Sequence, residues 1–186
     1  LDMKVSNCDF TNNPWLVSNC NVHGNTCNTN GSTISFSRCV LNLQIFLVTF
    51  SLTTGITMNQ CTGSISGSSI LSVPSGTGLE LNESSVNISG LTVTGSLAGT
   101  GTAINGLNST IAFGGPAPFT NLTTGFNLNN SRMRITGFAP DFTTIGTCYV
   151  LDSSQLSLTT GFGTTTTVTN GITLANQSTA SFNNTP

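Results

Sequence analysis

Six cysteines, one histidine, six acidic and four cationic side chains are the thiol, imidazole and charged groups that this 186-residue chain offers for chemistry. Cys8, Cys20, Cys39 and Cys61 follow one another at intervals of 12, 19 and 22 residues. Zinc ligands come in close pairs such as Cys-x-x-Cys, and His23 is the sole imidazole, so no metal site is assigned. If the four cysteines stack on neighbouring strands about 4.8 Å apart, disulfides within the column and a column of buried free thiols both fit that spacing. Cys27 lies near this group and is a further pairing partner for one of its members. Cys148 is about four strand spacings beyond Cys61, roughly 19 Å; it is expected to lack an intramolecular partner and to be available to another molecule.

The acids are Asp2, Asp9, Glu80, Glu83, Asp141 and Asp152. Acid–base work on a glycosidic bond or calcium-assisted elimination needs converging carboxylates, often with a cation beside them. The acids of this chain are scattered, so no catalytic residue and no cofactor is assigned, and a non-enzyme is expected. Arg132 and Arg134 flank the apolar Met133 and should both point outward from one strand, as a solvated pair. With a net charge of −2 and no basic cluster, the electrostatic footprint of a nucleic-acid binder is missing.

These groups are positioned by a repeat. An apolar pair two residues apart, a polar turn and a second apolar pair recur nine times, the first positions being Met3, Trp15, Ile34, Ile56, Leu79, Ile104, Phe126, Tyr149 and Ile172. The second pairs begin seven residues later, at Phe10, Val22, Leu41, Gly63, Val86, Ile111, Met133, Leu156 and Thr179. Alternation with period two belongs to strands with one buried face. Short strands recurring every 22–23 residues cannot enclose a core alone, so each copy must stack on the next. The fold class expected is all-β, a single parallel β-solenoid over 1–186, with irregular rungs over 1–33 and regular ones over 34–186, about eight to nine in all. The first interval, 12 residues, is too short for a three-sided turn and places the Met3 copy on a different face from Trp15. Gly67, Gly90, Gly115 and Gly137 end the second strand, and segments such as Phe46 and Val48, or Leu91 and Val93, form the third side.

The polar turn keeps register as well. Four residues after each first position stand Asn7, Asn19, Arg38, Gln60, Glu83, Asn108, Asn130, Ser153 and Asn176. Asn tolerates left-handed backbone and its amide can bond the next copy, so a stacked ladder is expected there. One residue on, Cys gives way to Ser84, Ser109, Ser131 and Ser154, with Gln177 last.

The run Val5-Ser6-Asn7-Cys8-Asp9-Phe10-Thr11-Asn12-Asn13 resembles a rung of the right-handed parallel β-helices of the pectin-lyase-like class. Its Phe-Thr-Asn-Asn end resembles the repeats of polymorphic outer-membrane adhesins. The first resemblance implies a right-handed β-helix, and a polysaccharide lyase or hydrolase as one activity; the second implies an adhesin passenger or stalk that binds glycans.

Only ten residues are Asp, Glu, Lys or Arg, against 55 Ser and Thr and 22 Asn, which makes a neutral, hydroxyl- and amide-rich exterior. Asn-x-Ser/Thr sequons stand at Asn87, Asn82, Asn129, Asn121, Asn30, Asn183, Asn108 and Asn176. That composition gives about six or seven by chance, so position is more informative than number. Asn87, between inward Val86 and Ile88, should face solvent and leads the list with Asn82; Asn108 and Asn176 fall in the ladder and are expected to be buried. The apolar run Leu41 to Leu52 is too short and too polar to cross a bilayer, so no membrane insertion is expected. A broken Thr ladder, interrupted by Ile70, Pro118 and Pro140, argues against an ice-binding surface. The reading that fits best is a structural segment or subunit of an extracellular or virion-surface fibre, associating with itself through the solenoid ends, with attached or bound glycans.

Overall fold

Trp15, Ile34, Ile56, Leu79, Ile104, Phe126, Tyr149 and Ile172 pair in one continuous parallel register, each opposite the next along the chain. The computed structural model describes residues 1–6, 9–11, 15–30, 34–49, 54–66, 69–73, 75–96, 100–115, 117–159 and 163–183, with the side chains of 9–11, 25–30, 45–49, 54 and 69–71 outside the description. The described residues form an all-β parallel solenoid; no helix among them is long and apolar enough to cross a membrane.

Each turn has three sides. The first carries the column just named. The second stacks Met3, Val22, Leu41, Gly63, Val86, Ile111, Met133, Leu156 and Ala180. The third stacks Leu71, Val93, Phe119 and Phe142. Alternation is clean in Ser85–Ser89, where the side chains of Val86 and Ile88 are buried while Ser85, Asn87 and Ser89 are exposed. The inward residues of all three sides make one elongated core. In its C-terminal half that core is aromatic, with Phe126 stacked on Tyr149 at 5.2 Å and 5° and Phe119 edge-on to Phe142 at 5.8 Å. Burial of each such ring contributes roughly 1.5–3 kcal/mol relative to exposure.

Corners are made by single left-handed residues. Asn19, Arg38, Gln60, Glu83, Asn108, Asn130, Ser153 and Asn176, between the first and second sides, all have φ between 47° and 54°. Gly90, Gly115 and Gly137, with φ of 76–88°, turn the chain from the second side to the third; Gly67 lies outside the described residues. Asn121, Thr144 and Thr167, with φ of 55–56°, turn it back to the first, a corner column the repeat alone does not reveal. A glycine also replaces an expected core residue on the second side: at Gly63, φ 142°, a Cβ would stand 2.0 Å from the Leu41 carbonyl oxygen, so no side chain fits.

Three expectations of register are corrected. Met3 pairs with Val22, so the first copy belongs to the second apolar pair; it lies on a different side from Trp15, as its interval of 12 implies. In the last turn one extra residue enters the corner, where Asn176 and Gln177 both have positive φ. The serine column therefore ends on Ser178, not Gln177, and Ala180 and Phe182, not Thr179 and Ser181, continue the inward columns. Finally, the solenoid has about six turns, fewer than the eight to nine rungs expected.

Candidate functional site

The column that runs Cys20, Cys39, Cys61, Ser84, Ser109, Ser131, Ser154 and Ser178 sits just past the first corner and is knitted by side chains. The backbone N–H of Cys61 donates to Ser84 Oγ at 3.0 Å, that of Ser84 to Ser109 Oγ at 3.0 Å, and that of Ser109 to Ser131 Oγ at 3.0 Å. Ser131 donates likewise to Ser154 at 2.9 Å and Ser154 to Ser178 at 3.1 Å. The hydroxyls of Ser84, Ser109, Ser131 and Ser154 each give their proton to a carbonyl two residues back, as Ser84 does to Asn82 at 2.8 Å and Ser154 to Asp152 at 2.7 Å, while Ser178 donates to Ala175 three back. The first four are buried yet fully employed, which is the condition for a polar group inside a core.

Cys20, Cys39 and Cys61 hold the same place as free thiols, donating to Ser18, Ser37 and Asn59 carbonyls at 3.1, 3.2 and 3.3 Å. Of the two alternatives for this column, these three cysteines adopt stacked thiols; Cys8 and the side chain of Cys27 lie outside the description. Desolvation by burial pushes the Cys61 thiol above its ordinary pKa, against backbone hydrogen bonds at Cys39 and Asn59 that lower it. Cys148 is not where it was expected. It lies within the strand Asp141–Asp152 with only 1% of its surface exposed, and burial raises its pKa to about 11, so its thiol is withheld from any second molecule. Tyr149 beside it is also pushed upward, by burial first and then by Cys148.

Outward amides form short ladders rather than one long one. Asn130 Nδ2 donates to Asn108 Oδ1 at 2.7 Å in the expected corner column, where Gln60 also donates to Glu83 at 2.8 Å. Two further pairs stand on the first side itself, Asn82 to Asn59 and Asn127 to Asn105, both at 2.9 Å. Among the sequons, Asn87, Asn129 and Asn183 are exposed, while Asn82 and Asn121 are half-buried. Asn108 and Asn176 are exposed as well, contrary to the burial expected of ladder positions, because the left-handed corner turns their side chains outward; Asn176 donates to Asp152 at 2.7 Å. The side chain of Asn30 lies outside the description.

The second side gathers the cations. Lys4, His23, Asn42, Ser64, Asn87, Ala112, Arg134, Ser157 and Ser181 form one outward column, and Arg132 stands in the column beside it. Lys4, His23, Arg132 and Arg134 are all exposed. Arg132 Nε donates to Gln155 Oε1 on the next turn at 3.2 Å, which orients its guanidinium along the axis. Three shallow depressions open on this side: one of about 310 Å³ at Lys4, His23, Asn42 and Gln44, one of about 310 Å³ at Asn87, Ser89, Gly114 and Thr136, and one of about 290 Å³ at Asn108, Asn130, Arg132 and Gln155.

On the third side the hydroxyl ladder is continuous in a column that simple counting misses. Ser72, Thr94, Thr120, Thr143 and Thr166 pair in register, and Thr120 and Thr94 hydroxyls lie 3.3 Å apart. The interruption by Ile70 and Pro118 belongs to the neighbouring column, that of Thr92, whose next member is Asp141 rather than Pro140.

The acids whose side chains are described stay apart. Glu80 and Asp152 sit on the first side, Glu83 at the first corner, Asp141 on the third side, where it accepts the Thr164 N–H at 2.7 Å, and Asp2 on the second, where it accepts from Asn21 at 2.8 Å. Among the described residues no three of His, Cys, Asp and Glu converge as metal ligands would. No family model, no curated protein and no solved structure matches the chain, so the pectin-lyase-like and adhesin resemblances gain no support beyond a β-helix-like fold.

Proposed function

We propose that this chain is a non-enzymatic structural segment of an extracellular or surface-exposed fibre, which associates end to end. The observation that carries this reading is the side-chain relay from Cys61 to Ser178, in which each turn is bonded to the next through its interior corner as well as through backbone ladders. A relay of this kind resists bending and axial slippage from Cys61 to Ser178. Negative-stain microscopy and sedimentation of the purified native protein at high concentration test the reading. Axially continuous particles are the expected result, and dispersed monomers at every concentration would retire it.

A further inference from the structure

Four residues carry all the Lys and Arg charge of the chain, and the fold brings three of them to one side. Lys4 with His23 marks one end of the second side and Arg132 with Arg134 lies further along it, two strands before the last, while Asp2 is the one described acid that shares it; Arg38 lies at the adjoining corner. From Lys4 to Arg134 is six strand spacings, about 29 Å, and from His23 five, about 24 Å. The column between them is neutral: Asn42, Ser64, Asn87 and Ala112.

Physical chemistry narrows what such a side can hold. Arg132 and Arg134 are two residues apart on one strand, hence about 7 Å apart along it, with like charges facing the same way and no ion pair among the described residues. An oxyanion placed between them relieves that repulsion and accepts charge-assisted hydrogen bonds. A uniformly charged chain does not suit the interval, because its middle anions would lie against amides, a hydroxyl and a methyl group without counter-charge. The middle instead offers a depression floored by side-chain-free backbone: a Cβ on Gly114 would stand 2.7 Å from the Thr136 carbonyl oxygen, and one on Gly115 would stand 3.0 Å from Ser89 Oγ. Asn87, Ser89 and Thr136 around it supply amide and hydroxyl groups suited to a neutral sugar.

We infer that the second side binds an extended, sparsely sulfated polysaccharide laid along the solenoid axis, with its anionic groups at the Lys4–His23 and Arg132–Arg134 pairs and neutral sugars across Asn42 to Ala112. This goes beyond the scaffold reading and does not depend on it. A glycan attached to Asn87 would cover the middle of the side, so the test uses protein made without N-glycosylation.

The experiment measures binding of low-substitution dextran sulfate, unmodified dextran and polygalacturonate to immobilised protein at low salt. Low-substitution dextran sulfate should bind best, and added salt should weaken it, since the contacts are exposed charges. Replacing both arginines, Arg132→Gln with Arg134→Gln, should weaken binding roughly fivefold or more, the loss expected of one or two surface charge contacts. Arg38→Gln, which removes a cation off the side, should change it less than about twofold. Circular dichroism confirms that each variant keeps its fold. No binding by the wild type, equal binding of unmodified dextran, tighter binding of polygalacturonate, or an equal loss from Arg38→Gln would each overturn the inference.

Discussion

The backbone N–H of Ser84 donates to the hydroxyl of Ser109, 25 residues later and one turn along, while that hydroxyl passes its own proton to Leu107 at 2.8 Å. One side chain thereby closes two turns at once. The same relation recurs at Ser131, Ser154 and Ser178, so the corner column is a hydrogen-bonded spine rather than a stripe of small residues.

Ser109→Ala should therefore destabilise the protein by about 1–3 kcal/mol, because the buried Ser84 N–H loses its acceptor. Ser109→Cys should cost less, since thiols already hold this place at Cys39 and Cys61. Thermal melting followed by circular dichroism reads both; identical midpoints for Ala and wild type would mean the hydroxyl contributes nothing.

The left-handed corners give a second test. Ser153 has φ 50°, and a β-branched side chain there meets the steric penalty of left-handed backbone. Ser153→Val should be less stable than Ser153→Gly by about 1–2 kcal/mol in urea unfolding. Equal stability would mean that the corner does not hold this backbone conformation in solution.

Cys148 should not react with a thiol reagent at neutral pH in the native protein and should react at once in denaturant. Its pKa is raised on folding from an ordinary 9.0 to about 11. Below pH 9 both states keep the proton and the contribution to stability is intact; between about pH 9 and 11 the unfolded state alone ionises, so stability falls as pH rises through that window. A Cys148→Ala variant should lose less stability across the same window.

Phe126 touches Phe113, Phe119, Phe142 and Tyr149 at ring separations of 5.2–6.3 Å. Phe126→Ala should cost about 3–5 kcal/mol, enough to unfold neighbouring turns at body temperature. Arg134→Gln, at an exposed position of the second side, should stay within about 0.5 kcal/mol of wild type. Chemical denaturation of the two variants side by side distinguishes core from surface.

The solenoid was legible because burial imposes period two within a strand and stacking imposes the longer period, and both leave marks on residue type. Val86, Ile88, Met133 and Ile135 could be placed inward from the sequence, and all four are buried. Register at the extremities was less legible. Counting assumes corners of constant length; the interval of 12 separates Met3 from Trp15 without showing that its partner is Val22, and the extra residue before Ser178 leaves no mark in the spacing. Cys148 illustrates a different limit. Its neighbours Thr147 and Tyr149 give no alternation that says which way a residue between them faces, and only the packing of Phe126, Phe142 and Tyr149 shows how closely that stretch is enclosed. The cations could not be assembled at all by reading along the chain, because Lys4 and Arg134 are 130 residues apart and share one side only through six successive strand pairings.

The spine has an evolutionary corollary. A segment running from one left-handed corner to the next, such as Glu83 to Leu107, begins and ends in the same phase, so its loss or duplication would leave each serine still facing an acceptor. A single inserted residue has a larger effect than a whole inserted turn: the one between Ala175 and Ser178 displaces every later column by a place, whereas lengthening by a full period is invisible to the neighbours. Length, for this molecule, is a heritable dial with coarse clicks.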